Sequence, residues 1–79
     1  MKTISISALS TAMSNLNNRY FGKEFSSVEL TNLLKNHCGL KKAQEILSEL
    51  ENHGVLRFLN SRKCQFTMAP TVETIKNLI

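Results

Sequence analysis

Lys41, Lys42, Gln44, Glu45 and Ser48 lie in one polar run, and Arg57, Asn60, Arg62 and Lys63 follow it closely. Ammonium and guanidinium groups bind phosphate oxygens, a Gln carboxamide pairs bidentately with an adenine edge, and a carboxylate accepts from a cytosine amino group. These residue types therefore suit contact with a polyanion and the reading of a base edge. Glu45 and Glu49 act against that chemistry, because carboxylates one helical turn apart repel phosphate. Ordinary salt screens such repulsion beyond roughly ten ångströms but not at contact. If the two acids face a partner, that partner is a protein with a basic patch. Asn17, Asn18, Arg19 and Lys23 form a further polar cluster that can touch phosphate and serves equally to end a helix.

His37, Cys38, His53 and Cys64 are potential zinc ligands, but no two are separated by the two to four residues that aim both side chains at one ion. No metal or other cofactor is expected. His37 and Cys38 are neighbours in sequence and aim apart, and Gly22, Gly39 and Gly54 are scattered helix stops, with no phosphate loop among them. A nucleophile needs a base and an orienting group held around a pocket, and a core of this size leaves little cleft to hold them, so an enzyme is not expected. Both cysteines read as free thiols, and Cys64 alternates with Phe66 and Met68 toward a core.

A chain of 79 residues is one small domain, burying only about 60% of the surface its unfolded form exposes. Its 42% hydrophobic content is that of a globular protein, while 6% aromatic residues, no Trp and one Pro point to an aliphatic, helix-dominated core. A net charge of +4 and a pI near 9.4 favour a polyanionic partner. No run reaches the ~18 to 20 apolar residues that cross a bilayer, and the N-terminus lacks signal-peptide features. The expected location is the cytoplasm, with no membrane partner.

The elements that must carry the polar residues follow from periodicity. Ile6, Leu9, Met13, Leu16 and Tyr20 recur at helical spacing between Ser5 as N-cap and Gly22 as stop, predicting a helix over about 5–21. Ser26 and Glu29 have capping-box spacing, and Phe25 and Leu30 hydrophobic-staple spacing. They open a helix over about 27–36 with Leu30, Leu33 and Leu34 inward, which Asn36, His37, Cys38 and Gly39 then break. Ala43, Ile46, Leu47 and Leu50 give one apolar face to a third helix, about 40–53, which leaves its polar face to a partner and stops at His53 and Gly54. His53 there suits the negative end of the helix dipole. Val55 to Leu59 and Cys64 to Ala69 flank the turn Asn60, Ser61, Arg62, Lys63, a hairpin over about 55–69 with a cationic tip, ended by Pro70. Thr71 caps a last helix, about 71–79, whose stripe of Val72, Ile75, Leu78 and Ile79 is either a lid on the core or a dimer surface.

This order of helix, helix, helix, strand, strand, helix resembles the winged helix-turn-helix superfamily, an α+β, helix-dominated fold with a three-helix core, a two-stranded wing hairpin and a C-terminal helix. The resemblance covers roughly Phe21 to Ala69. LSELENHGVLRF is its most family-like string, and Glu24 and Phe25 stand where that fold often has a very short third strand. It implies double-stranded DNA binding, with helix 40–53 in the major groove and the 60–63 wing on the backbone or minor groove. The implied contacts are Lys41, Lys42, Gln44, Glu45, Ser48, Arg57, Asn60, Arg62 and Lys63. The implied role is a small transcriptional regulator or accessory DNA-binding factor, as a homodimer on a two-fold site or within a larger complex. The same fold also serves protein contacts. An adaptor or inhibitor without DNA binding therefore competes, favoured by Glu45, Glu49 and Glu51 and by the modest net charge. A structural subunit assembling through the last helix is the third reading.

Overall fold

Ser5 accepts the Ala8 N–H at 3.2 Å and opens α1, Ile6–Arg19, in a computed structural model whose described residues are 5–78. The end of α1 differs from expectation. Phe21, and not Gly22 alone, turns the chain, with φ 58. Its N–H donates to the Asn18 carbonyl at 3.1 Å while the Gly22 N–H donates to the Asn17 carbonyl at 3.0 Å. That double bond pattern closes a helix around a left-handed residue, usually glycine. For an aromatic side chain the left-handed conformation costs about 1 to 2 kcal/mol.

Strand β1, Phe25–Ser26, leads directly into α2, Ser27–Cys38. The expected capping box does not form: Ser26 makes no side-chain cap because it is paired with Lys63 in the sheet. Glu29 turns instead to α1, accepting from Arg19 Nη1 at 2.8 Å and Tyr20 Oη at 2.6 Å. Helix α2 also outlasts the expected break at Asn36, and only Gly39 separates it from α3, Leu40–Asn52. Gly39 stands at φ 84 and ψ 164, a region open essentially to glycine. Its N–H donates to the Lys35 carbonyl at 2.8 Å and its carbonyl accepts the Ala43 N–H at 2.9 Å. One residue thus ends a helix and starts the next.

Strands β2, Leu56–Phe58, and β3, Lys63–Phe66, form the hairpin, and β1 joins it on the far side of β3. The expected two-stranded hairpin is therefore part of a three-stranded antiparallel sheet of order β1-β3-β2. β3 stops at Phe66, well before Pro70, and Met68 is exposed where alternation put it inward. Pro70 is buried, and its carbonyl accepts from Ser10 Oγ at 2.7 Å and Ser14 Oγ at 3.4 Å. Thr71 caps the short α4, Val72–Lys76, by accepting the Thr74 N–H.

The core joins the apolar faces of all four helices to the inner face of the sheet. Leu9, Met13 and Leu16 come from α1, Leu30 and Leu34 from α2, Ala43, Ile46 and Leu50 from α3, and Ile75 from α4. Leu33 and Leu47, both expected inward, are half-buried at its margin. Phe25 stacks on Tyr20 and Phe66 at centroid distances of 5.7 and 5.6 Å, fastening sheet to α1. The result is a small, helix-dominated α+β domain. Among the described residues no helix is long and apolar enough to cross a membrane.

Candidate functional site

The exposed face of α3 carries Lys41, Gln44, Glu45 and Ser48, with Lys42 half-buried at its edge. Lys42 Nζ lies 3.5 Å from Glu45 Oε2, and His53 Nε2 lies 3.4 Å from Glu49 Oε2. Lys42 therefore sets a cation beside Glu45, and His53 lies beside Glu49 at the end of the helix. Such exposed pairs add little stability. Lys41, Gln44 and Ser48 have no such acidic neighbour in the pairs that form here.

On the hairpin, alternation puts Leu56, Phe58, Cys64 and Phe66 on the core side and Arg57, Lys63 and Gln65 on the outer side. Arg57 Nη2 donates to Gln65 Oε1, its cross-strand partner, at 3.1 Å. Asn60, expected among the contact residues, uses its Oδ1 to accept the Arg62 and Lys63 N–H groups at 2.8 and 3.0 Å. Its carboxamide oxygen builds the turn. The Arg62 and Lys63 side chains are exposed.

The tip is held at its backbone. The Ser27 N–H donates to the Arg62 carbonyl at 2.9 Å and the Ser27 hydroxyl to the Ser61 carbonyl at 3.0 Å. Sequence reasoning missed Ser27, whose one available signal was a small hydroxyl residue at the first position of a helix. These bonds set Arg62 and Lys63 against the amino end of α2, whereas Lys41 and Lys42 follow its carboxyl end across Gly39. The two pairs of cations thus lie at opposite ends of α2.

The other singled-out residues are distributed elsewhere. Arg19 is paired with Glu29, and the hydrogen bond from the Tyr20 hydroxyl to Glu29 raises the tyrosine pKa above its usual value, aided by desolvation. Lys23 is exposed. Both cysteines are free, and burial raises the pKa of each thiol, that of Cys64 to about 11. Cys38 Sγ donates to the Leu34 carbonyl. Among the described residues no three His, Cys, Asp or Glu side chains gather as a metal site. A groove of about 450 Å³ between α1 and α2, lined by apolar Ala12, Leu16 and Leu33 as well as by Asn15, Asn32 and His37, was not anticipated.

The C-terminal stripe does not form one surface. Ile75 is fully buried and Leu78 packs against the core, which removes both from the expected dimer surface. Val72 is exposed, and Ile79 lies outside the described residues. The reason is that α4 lies on α1 and ends at Lys76, so its inward face is already covered. No family model matches this chain, and neither a curated protein nor a solved structure matches it.

Proposed function

We propose that this chain is a winged helix-turn-helix protein that binds double-stranded DNA, with α3 in the major groove and the hairpin tip on the flanking backbone or minor groove. The observation that carries this reading is the pair of cationic stations at the two ends of α2. Lys41 and Lys42 at one station and Arg62 and Lys63 at the other can then meet phosphates while Gln44 and Ser48 approach base edges. The connection of β1, α2, α3 and the hairpin into a sheet of order β1-β3-β2 supports the winged-helix reading. The role that fits a domain of this size is that of a small transcriptional regulator or accessory factor acting in the cytoplasm.

A protein-contact module on the same fold is the competing reading, favoured by Glu45, which stays on the exposed face of α3 beside Lys42. Fluorescence anisotropy with labelled random-sequence duplex separates the two. Four phosphate contacts give a slope of log affinity on log salt near −3.6, a loss of roughly 100-fold between 50 and 200 mM salt. Binding that is absent, or indifferent to salt, would sink the DNA reading in favour of the protein contact.

A further inference from the structure

Phe21 joins two properties that rarely coincide. The residue is 87% exposed, and its backbone is the one non-glycine position with positive φ among the described residues. An exposed ring returns little packing to the fold, so the side chain itself does not offset the conformational cost of an aromatic residue at that position. The turn that displays it is nevertheless held firmly. The Lys23 N–H donates to the Tyr20 carbonyl at 2.9 Å, and Gln65 Nε2 donates to the Gly22 carbonyl at 3.1 Å. Gln65 is in turn the partner of Arg57.

These bonds tie the Phe21 turn to the outer face of the sheet. Lys63 shares that face two residues from Gln65, about 7 Å along the strand, and Lys23 is exposed in the turn. Lys63, Arg57 and the turn that carries Lys23 and Phe21 are therefore gathered around Gln65 as one cationic strip with an aromatic ring at its edge. Glu24, exposed and preceding the inward Phe25, is the acid on this side.

We propose that this strip binds single-stranded DNA, with phosphates on Lys63, Arg57 and Lys23 and an unpaired base stacked on Phe21. A protein partner is disfavoured because a specific interface surrounds its anchor with an apolar, charge-depleted core, whereas the turn of Phe21 carries Lys23 and Glu24 in sequence and is bonded to polar Gln65, the partner of Arg57. A base needs one π-face and a cationic track. The choice of DNA over RNA rests on the duplex reading above, since Lys63 belongs to both surfaces and a strand leaving a duplex there continues onto the strip.

The test is anisotropy of the full chain with labelled oligo-thymidine, oligo-uridine and duplex DNA in 50 mM salt. Phe21→Gly is expected to lose about 5- to 100-fold for oligo-thymidine, to leave duplex affinity unchanged and to remain folded, because glycine adopts positive φ freely. The chain has no Trp, so Phe21→Trp introduces a single reporter whose fluorescence should be quenched by oligo-thymidine. Glu24→Gln should tighten binding. Wild-type protein that ignores oligo-thymidine, a Phe21→Gly protein with full affinity, or an unquenched Phe21→Trp overturns the strip even if duplex binding stands. Oligo-uridine bound as tightly as oligo-thymidine overturns the assignment to DNA. Oligo-thymidine binding that depends on Phe21, in a protein that ignores duplex, supports the strip while sinking the duplex reading.

Discussion

At the scale of the residue, Cys64 is a nucleophile converted into core. It lies on the central strand between β1 and β2, fully buried, and burial moves its thiol pKa from the ordinary 9 to about 11. An unfolded chain ionises that thiol first, so the stability tied to its neutral form is complete below pH 9 and declines as pH rises toward about 11. The effect is on the order of 2 kcal/mol. The accompanying prediction concerns reactivity at pH 8: iodoacetamide should label half-buried Cys38 before Cys64, and Cys64 only on unfolding, as mass spectrometry of native and denatured samples will read. The inward placement of Cys64 was legible from strand alternation, whereas the exposure of Met68 was not, because β3 ends at Phe66 and the alternation with it. Glu29 shows the same limit for polar groups. Its spacing from Ser26 suits a cap, but Arg19 and Tyr20 arrive from another helix as stronger donors.

At the scale of the element, the junction of α2 and α3 depends on Gly39. A Cβ built there meets nothing within 4 Å, so Gly39→Ala has only a conformational cost, about 1 to 3 kcal/mol. In a domain of this size that corresponds to a fall in Tm of roughly 5 to 20 °C, measurable by thermal circular dichroism. An unchanged Tm would mean that the two helices meet by a different route. The helices themselves were legible because each has its own apolar period, and the expected starts of α2 and α3 fall where the structure has them. Their ends were less legible. Asn36, His37 and Cys38 are poor helix formers that remain helical because Leu34 anchors the last turns of α2 in the core, a case of tertiary packing overriding propensity.

At the scale of the molecule, the proposed duplex docking needs both ends of α2 at once. Arg62→Ala with Lys63→Ala removes one station, so the salt slope should fall in magnitude by about 1.8, with affinity lowered alike for all sequences. Gln44→Ala should instead relax preference at one or two base pairs. Titrations of each variant against specific and random duplex at several salt concentrations read both effects, and a slope unmoved by the double substitution rules out docking through the tip. The C-terminal stripe calls for a different variant from the one its periodicity suggests. Ile75→Asp buries a charge in the core and unfolds the protein, whereas Val72→Asp alters an exposed position and leaves the core intact.

By itself, the sequence determined the number and order of the helices, their inward faces, the hairpin and the basic character of its tip. These depend on periods and turn chemistry confined to neighbouring residues. Only the tertiary structure decided where polar groups found partners. Ser27 holds Arg62, Ser26 pairs with Lys63, Gln65 holds Gly22, and Ser10 holds Pro70, each bond joining segments far apart in the chain. Local pattern reports which side of an element is apolar. It carries no record of which distant donor or acceptor will meet the other side, and that meeting fixed the tip on α2 and set Phe21 on the rim of the sheet.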